Sequence, residues 1–513
     1  MSWDDCVASV RADLPQFNNK LLIDYPKAQI NSAPEFMDNV FKESVRFLAI
    51  NVPVEYKGYR ILRPQEQIQY LLGSSIMKHK VNIRKSELQL VEYKFVSEGR
   101  EIDVHLYLPY LYNNVITIDD TKYAPLNNII DKFIVRSQNK IIIRVMKIVM
   151  QFWRNKQYRF RDVDGENYNE VLVTVVAINN HRKKSSFEWT VVLYLLAEFG
   201  FKEAMRRLFS DLTFVSEAKL HDEDFQYFEI IEGIYLKASR KRMKSEMTYR
   251  RVVAAILYSL LNFKDCIISI QDLYDPFVYR AIFGKIWKGK DCKTALAASH
   301  CENHLKSTRI ALDETAIKNM YAEKRLMCEN TFDLLTHVFF NIDDWLLVYS
   351  PNDLFEKRLS GIATLFEKVI SVINNKFYKS ANNKKIGAHK VKETLRFDAM
   401  MIRNIYCLKC VQANPSAYND NELFSKLIKK KRPNSGNEKT GKKKSNNTMH
   451  DPAHQFSPSF LAIESIWSIS SSAPGVSGDI NPYVEIDENG EFLKDKMPWY
   501  KDIESIQEFF PRI

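Results

Sequence analysis

"NYNEVLVTVVAINNHRKKSSFEWTVVLYLLAEFGFKEAMRRLF" (residues 167–209) changes character part-way along. Its first part, Glu170 to Ile178, is rich in β-branched residues and reads as a buried strand. The middle, "INNHRKK" (178–184), is polar and cationic. The apolar run that follows, "SSFEWTVVLYLLAEFG", is too long for a strand and reads as a helix. Ser185 and Glu188 offer a capping box ahead of it, and Gly200 is a natural stop before "FKEAMRRLF". Outward from this junction the two sides differ. Upstream, "EIDVHLYL", "NVITID" and "NKIIIRVMKIVMQFW" are strand-like, while "EFMDNVFKESVRFLAI" from Glu35 is an amphipathic helix. Downstream, the pattern is mostly helical to about Ser380. The fold class is therefore α+β, and 513 residues are enough for more than one domain.

Hydrophobic residues make up 45% and charged residues 27%, an ordinary globular balance. The net charge of +11 suits a polyanionic partner and equally a plain basic surface. Seven scattered cysteines argue against a disulfide framework. The start, "MSWDDCVASVRADL", lacks an apolar signal core, and "VVAAILYSLLNF" (252–263) is too short to span a bilayer. A soluble, intracellular protein is expected.

Several motifs suggest chemistry and are weighed on their residues. "GNEKTGKK" (436–443) approaches a phosphate-binding loop, but Lys443 stands where a Mg²⁺-ligating hydroxyl is needed and no buried strand precedes it. Asp162, Asp164 and Glu166 in "RDVDGENY" alternate as metal-binding carboxylates would. Asp164-Gly165 between two strand-like runs is also a hairpin signal, and the turn is favoured. Cys407 and Cys410 lack the second pair of a zinc ribbon, and Cys292, His300, Cys301 and His304 fit no standard finger, so structural roles are expected.

Two cationic stretches are candidate nucleic-acid contacts. Arg182, Lys183 and Lys184 lie between a strand and a helix, a supported and exposed place for phosphate, though a solvated loop would read the same. From Lys426 to Lys444, nine of nineteen residues are Lys or Arg, among them Lys429, Lys430, Lys431, Arg432, Lys442, Lys443 and Lys444. This low-complexity run is expected to be a mobile loop. Near the end, "NPYVEID" and "EFLKDK" flank Asn489-Gly490 as a hairpin.

Several segments, in order, resemble the N-terminal half of the β (second-largest) subunit of multisubunit DNA-directed RNA polymerase. They are "LYLPYLYNNVITIDDTKYAPLNNIIDKFIVRS" (106–137), the opening stretch (167–209), "YSPNDLFEKRLSGIATLFEKVISVINNKFYK" (349–379) and "SPSFLAIESIWSISSSAPGVSGDINPYVEIDENGEFL" (457–493). In the last, Glu464, Pro474, Gly475, Gly478, Ile480 and Asn481 fall on the family's signature, with small gaps. The Thr-Pro-Glu-Gly core of that signature is missing, and the chain stops where a complete β subunit would continue into its catalytic-centre half. The split β of giant-phage RNA polymerases is the most similar arrangement.

The resemblance implies a multidomain subunit: a protrusion-like domain from about 1–140 and 346–425, and a lobe-like domain over 141–345. A flexible basic loop (426–455) and a fork-like terminal segment (456–513) would follow. Another chain would complete that terminal segment and bury Tyr483, Val484, Ile486 and Phe492. It implies no catalytic residue and no cofactor in this chain, with Mg²⁺ held by another subunit and the isolated chain inactive. Implied partners are a C-terminal β-like half, β′-like subunits, a promoter-specificity subunit, the DNA template and the RNA–DNA hybrid, with no membrane. The implied setting is the cytoplasm of an infected host cell. The alternative is a stand-alone viral nucleic-acid-binding or packaging protein without catalysis.

Overall fold

The computed structural model describes residues 25–49, 52–78, 88–110, 116–118, 121–125, 127–137, 139–145, 149–177, 187–217, 223–347, 353–359, 361–362, 366–381, 388–399, 410–413, 429–431, 459, 463, 477–481 and 483–497. They form two compact units, Met1–Lys132 with Ser350–Ile513, and Phe133–Tyr349. The second unit interrupts the first in sequence.

In the first unit, helix α1 (Ala33–Leu48) has the amphipathic face read in the sequence, burying Met37, Val40, Phe41, Val45 and Leu48. It packs on an antiparallel sheet of β1 (Val54–Ile61), β2 (Leu88–Ser97) and β3 (Arg100–Pro109). Phe41 lies 4.9 Å from Tyr93 and 5.5 Å, edge-on, from Phe95, both on β2. Such tilted aromatic pairs add directional preference to simple area burial. Strand β4 (Asn127–Asp131) then leads out of this part of the chain.

The second unit opens with an antiparallel meander: β5 (Ile134–Ser137), β6 (Lys140–Arg144), β7 (Val149–Arg161) and β8 (Asn167–Ala177). Helix α2 (Val191–Leu208) follows. Its N-cap is Thr190, whose hydroxyl accepts from the Leu193 amide at 3.1 Å, so the Ser185–Glu188 capping box is not the helix start. Gly200 has φ 74° and divides α2, as its place in the sequence suggested. Beyond a small three-stranded sheet, α3 (Met247–Leu261) is buried on nearly every side. Helices α4 (Pro276–Lys288) and α5 (Thr294–Arg309) pack closely, because Gly284 lets the backbone approach Ala297. Helix α6 (Thr331–Leu347) carries Asp343, which pairs with both Arg154 of β7 and Arg251 of α3.

Back in the first unit, β9 (Lys357–Leu359) pairs antiparallel with β4. On its other side β4 pairs parallel with β10 (Lys429–Lys431), and β10 pairs antiparallel with β11 (Ser477–Asp479). Stretches far apart in sequence thus build one four-stranded sheet. This corrects the expectation of a mobile loop at Lys429, Lys430 and Lys431. Ladder bonds use only backbone groups, so lysine does not bar a strand between two partners.

Candidate nucleic-acid interface

Arg182, Lys183, Lys184, Arg432, Lys442, Lys443 and Lys444 lie outside the described residues, as do Cys407 and the 436–443 motif. Of Lys429, Lys430 and Lys431 the backbone strand is described.

"RDVDGENY" is the β7–β8 turn, with Gly165 at φ 96°. Asp162 is buried there, and its Oδ1 accepts from the Glu166 amide at 2.7 Å. The Gln226 amide donates to Asp162 Oδ2 at 3.1 Å and to Glu166 Oε2 at 2.7 Å. Asp164 accepts from Arg240 at 2.7 Å. Burial raises the Asp162 pKa, against the opposing pull of the Glu166 amide. Protein donors hold all three carboxylates, and no cluster of three or more metal-ligating side chains occurs among the described residues.

The cysteines and histidines of 292–304 also have structural places. Cys301 is fully buried. The His304 ring accepts or donates at 3.0 Å to the Tyr194 hydroxyl and lies among Trp189, Phe283 and Trp287. This enclosure depresses its pKa to about 4, since an apolar surround disfavours imidazolium.

Two cationic surfaces of the second unit emerge from the fold. The first is the distal half of the β7–β8 ribbon. Lys156, Tyr158, Phe160 and Glu170 face the packed side, where they meet Tyr258, Phe228 and Arg250. The opposite face exposes Gln157, Arg159 and Arg161 on β7 with Asn167 and Asn169 on β8. Arg161 pairs in register with Asn167, and Arg159 with Asn169.

The second surface is the α4–α5 turn, "WKGKDCK" (287–293). Lys288, Lys290 and Lys293 are exposed. The Lys288 ammonium sits 4.8 Å from the Trp287 ring centre, and that of Lys290 sits 4.6 Å from Phe187 and 5.4 Å from Phe263. Among the described residues none of these three lysines enters an ion pair, whereas the neighbouring Lys285 is buried against Asp265. Phe187 is where the chain re-enters the described structure after the 182–184 segment. Alternation of basic and aromatic residues was the available signal for 287–293.

The terminal hairpin is tighter than two full strands. The Gly490 amide donates to Asp487 O at 3.1 Å, the Asp487 amide to Glu491 O at 3.0 Å, and the Leu493 amide to Glu485 O at 2.9 Å. Gly490 is left-handed at φ 79° and abuts Tyr25. Glu491 bridges to Arg358 of β9, and the Leu359 amide donates to Gly490 O at 2.8 Å. Val484, Ile486 and Phe492 are buried with Tyr25, Ile129, Leu354, Leu359, Ile463, Ile480 and Met497. The expectation that these three side chains wait for another chain is thereby corrected. β9 and the first helical turn of this unit already cover them. Tyr483, the fourth residue expected at an interface, is 57% exposed.

Residues 12–511 match the family model described as "Non-virion RNA polymerase subunit". The chain belongs to this family. No curated protein matches it at a significant level. It is therefore a subunit of a phage non-virion RNA polymerase, a nucleotidyltransferase complex in which other polymerase subunits take part. For a polymerase subunit, the two cationic surfaces are natural places to meet nucleic acid, because phosphate contacts carry affinity without reading sequence. None of the described helices of this polymerase subunit is long and apolar enough to cross a membrane.

Proposed function

We propose that this polymerase subunit is the N-terminal β-like half of a split β subunit. In this reading it forms one wall of the cleft that holds downstream duplex and the RNA–DNA hybrid. The observation that carries the reading is the serial order of four β-like segments, from 106–137 to 457–493, across a chain that matches the family over nearly its whole length. The interruption of one compact unit by another is in keeping with a lobe inserted into a protrusion.

The chemistry of the assembled enzyme is nucleotidyl transfer. This chain contributes position: cations on a folded wall hold phosphates in place while template and hybrid advance over any sequence. Arg182, Lys183, Lys184 and the Lys429–Lys444 run belong to that wall in this reading. Mg²⁺ is held by another subunit, the C-terminal β-like half and β′-like subunits are direct partners, and a further subunit selects promoters. The site of action is the host cytoplasm.

The test is purification of the tagged chain at native abundance from infected cells. The C-terminal β-like half and β′-like subunits should accompany it. The isolated chain, given template, nucleoside triphosphates and Mg²⁺, should make no RNA, and adding the partners should restore synthesis. RNA made by the chain alone, or purification without those partners, overturns the reading.

A further inference from the structure

We propose that Lys288, Lys290 and Lys293, on the turn between α4 and α5, form a contact site for the phosphates of a nucleic-acid strand. All three are exposed within one six-residue turn and are not neutralised by an ion pair among the described residues. Asp291 is the one carboxylate inside the turn, and the nearby Asp265 is taken by Lys285.

The turn is held firmly. Gly289, at φ 108°, reverses the chain, and the Cys292 amide closes a turn on Gly289 O at 3.2 Å. The two flanking helices are locked together at Gly284 and Ala297. Trp287, Phe187 and Phe263 fix the stems of Lys288 and Lys290, so fewer rotamers are lost when an anion binds.

Helix stability explains only part of this charge. Lys285 and Lys288 lie in the last turn of α4, where the helix dipole favours cations. Lys290 and Lys293 lie beyond it and precede the start of α5, where the dipole disfavours them and the first turn has no acidic residue. A polyanion with regularly spaced charges would balance them. Aromatic rings beside the ammonium groups suit a nucleic acid, whose bases and sugars can pack where its phosphates pair.

This inference rests on the proposed cleft role only in taking nucleic acid as the polyanion, and its readout is direct binding rather than subunit composition. The full-length chain carrying Lys288→Gln, Lys290→Gln and Lys293→Gln is titrated with a fluorescent mixed-sequence DNA strand, and separately with its duplex, over a salt series. The slope of log affinity against log salt should fall by about 0.7 per lost contact on the single strand or about 0.9 on the duplex. The larger fall identifies the preferred form. The melting temperature should be unchanged, and arginine at the three positions should restore the slope. The site is overturned by an unchanged slope on both forms, or by a wild-type chain that binds neither. It is also overturned if only Arg159→Gln with Arg161→Gln lowers the slope, or if polyglutamate binds as tightly and loses affinity equally.

Discussion

Single residues in the second unit set how its core responds to acid and to crowding. His304 is neutral in the fold, with its pKa lowered by burial from 6.5 to about 4. The unfolded chain therefore takes up the proton first as pH falls. The stability contribution is complete above about 6.5 and is lost progressively down to about 4. Its limit is about 3 kcal/mol for a fully enclosed ring, and the partial exposure of His304 makes it smaller. The melting temperature should drop between pH 7 and pH 5, and His304→Gln should flatten that drop; parallel pH profiles for the two proteins would refute the assignment. Gly284 acts through space instead. A methyl group there would overlap the Ala297 carbonyl oxygen, which is backbone and cannot rotate away. Gly284→Ala should cost about 3 kcal/mol, at the upper end of overpacking effects, in a urea unfolding curve.

At the scale of elements, the α2 start shows how a local rule can point to the wrong residue. Ser185 and Glu188 satisfy the capping-box spacing, yet the cap is Thr190, also a β-branched hydroxyl residue placed directly before the apolar run. The choice is made by pairing. Thr190 forms a bridge to Thr174 of β8, and the Val175 amide donates to Trp189 O at 2.8 Å, so the approach to the helix continues the sheet. Thr190→Ala should lower stability by about 1 kcal/mol, and Ser185→Ala should leave the melt unchanged. The β7–β8 turn was legible from Asp164-Gly165 alone. Its anchoring through Gln226, sixty or more residues away, was not.

Across the whole molecule, the largest consequence concerns the terminal hairpin. Ile480, Val484, Ile486, Phe492 and Met497 supply half of a small core whose other members come from the beginning and middle of the chain. Burying each such side chain stabilises by roughly 1.5–3 kcal/mol at most, so five together rival the whole stability of a domain. Truncation before Ala473 should therefore unfold the first unit around 127–131 and 354–359, read as lost hydrogen-exchange protection, while 133–349 stays protected. Tyr483→Ala, by contrast, should leave protection intact and weaken recovery of partner subunits. Full protection of 127–131 in the truncated chain would refute this account of the hairpin.

Local pattern by itself determined the α+β class, the helix at 33–48, the strands on either side of Asp164-Gly165 and the break at Gly200, because each follows from hydrophobic period or from one residue's backbone freedom. It also supplied the order of segments that resemble a polymerase β subunit. Tertiary structure alone decided that Lys429–Lys431 enter a sheet between β4 and β11, since strand partners distant in sequence leave no local mark. It likewise decided that Val484, Ile486 and Phe492 are covered by their own chain, and that Lys288 and Lys290 rest on aromatic rings. Composition shows which side chains are apolar or charged; only the path of the backbone settles which neighbours bury or hold them.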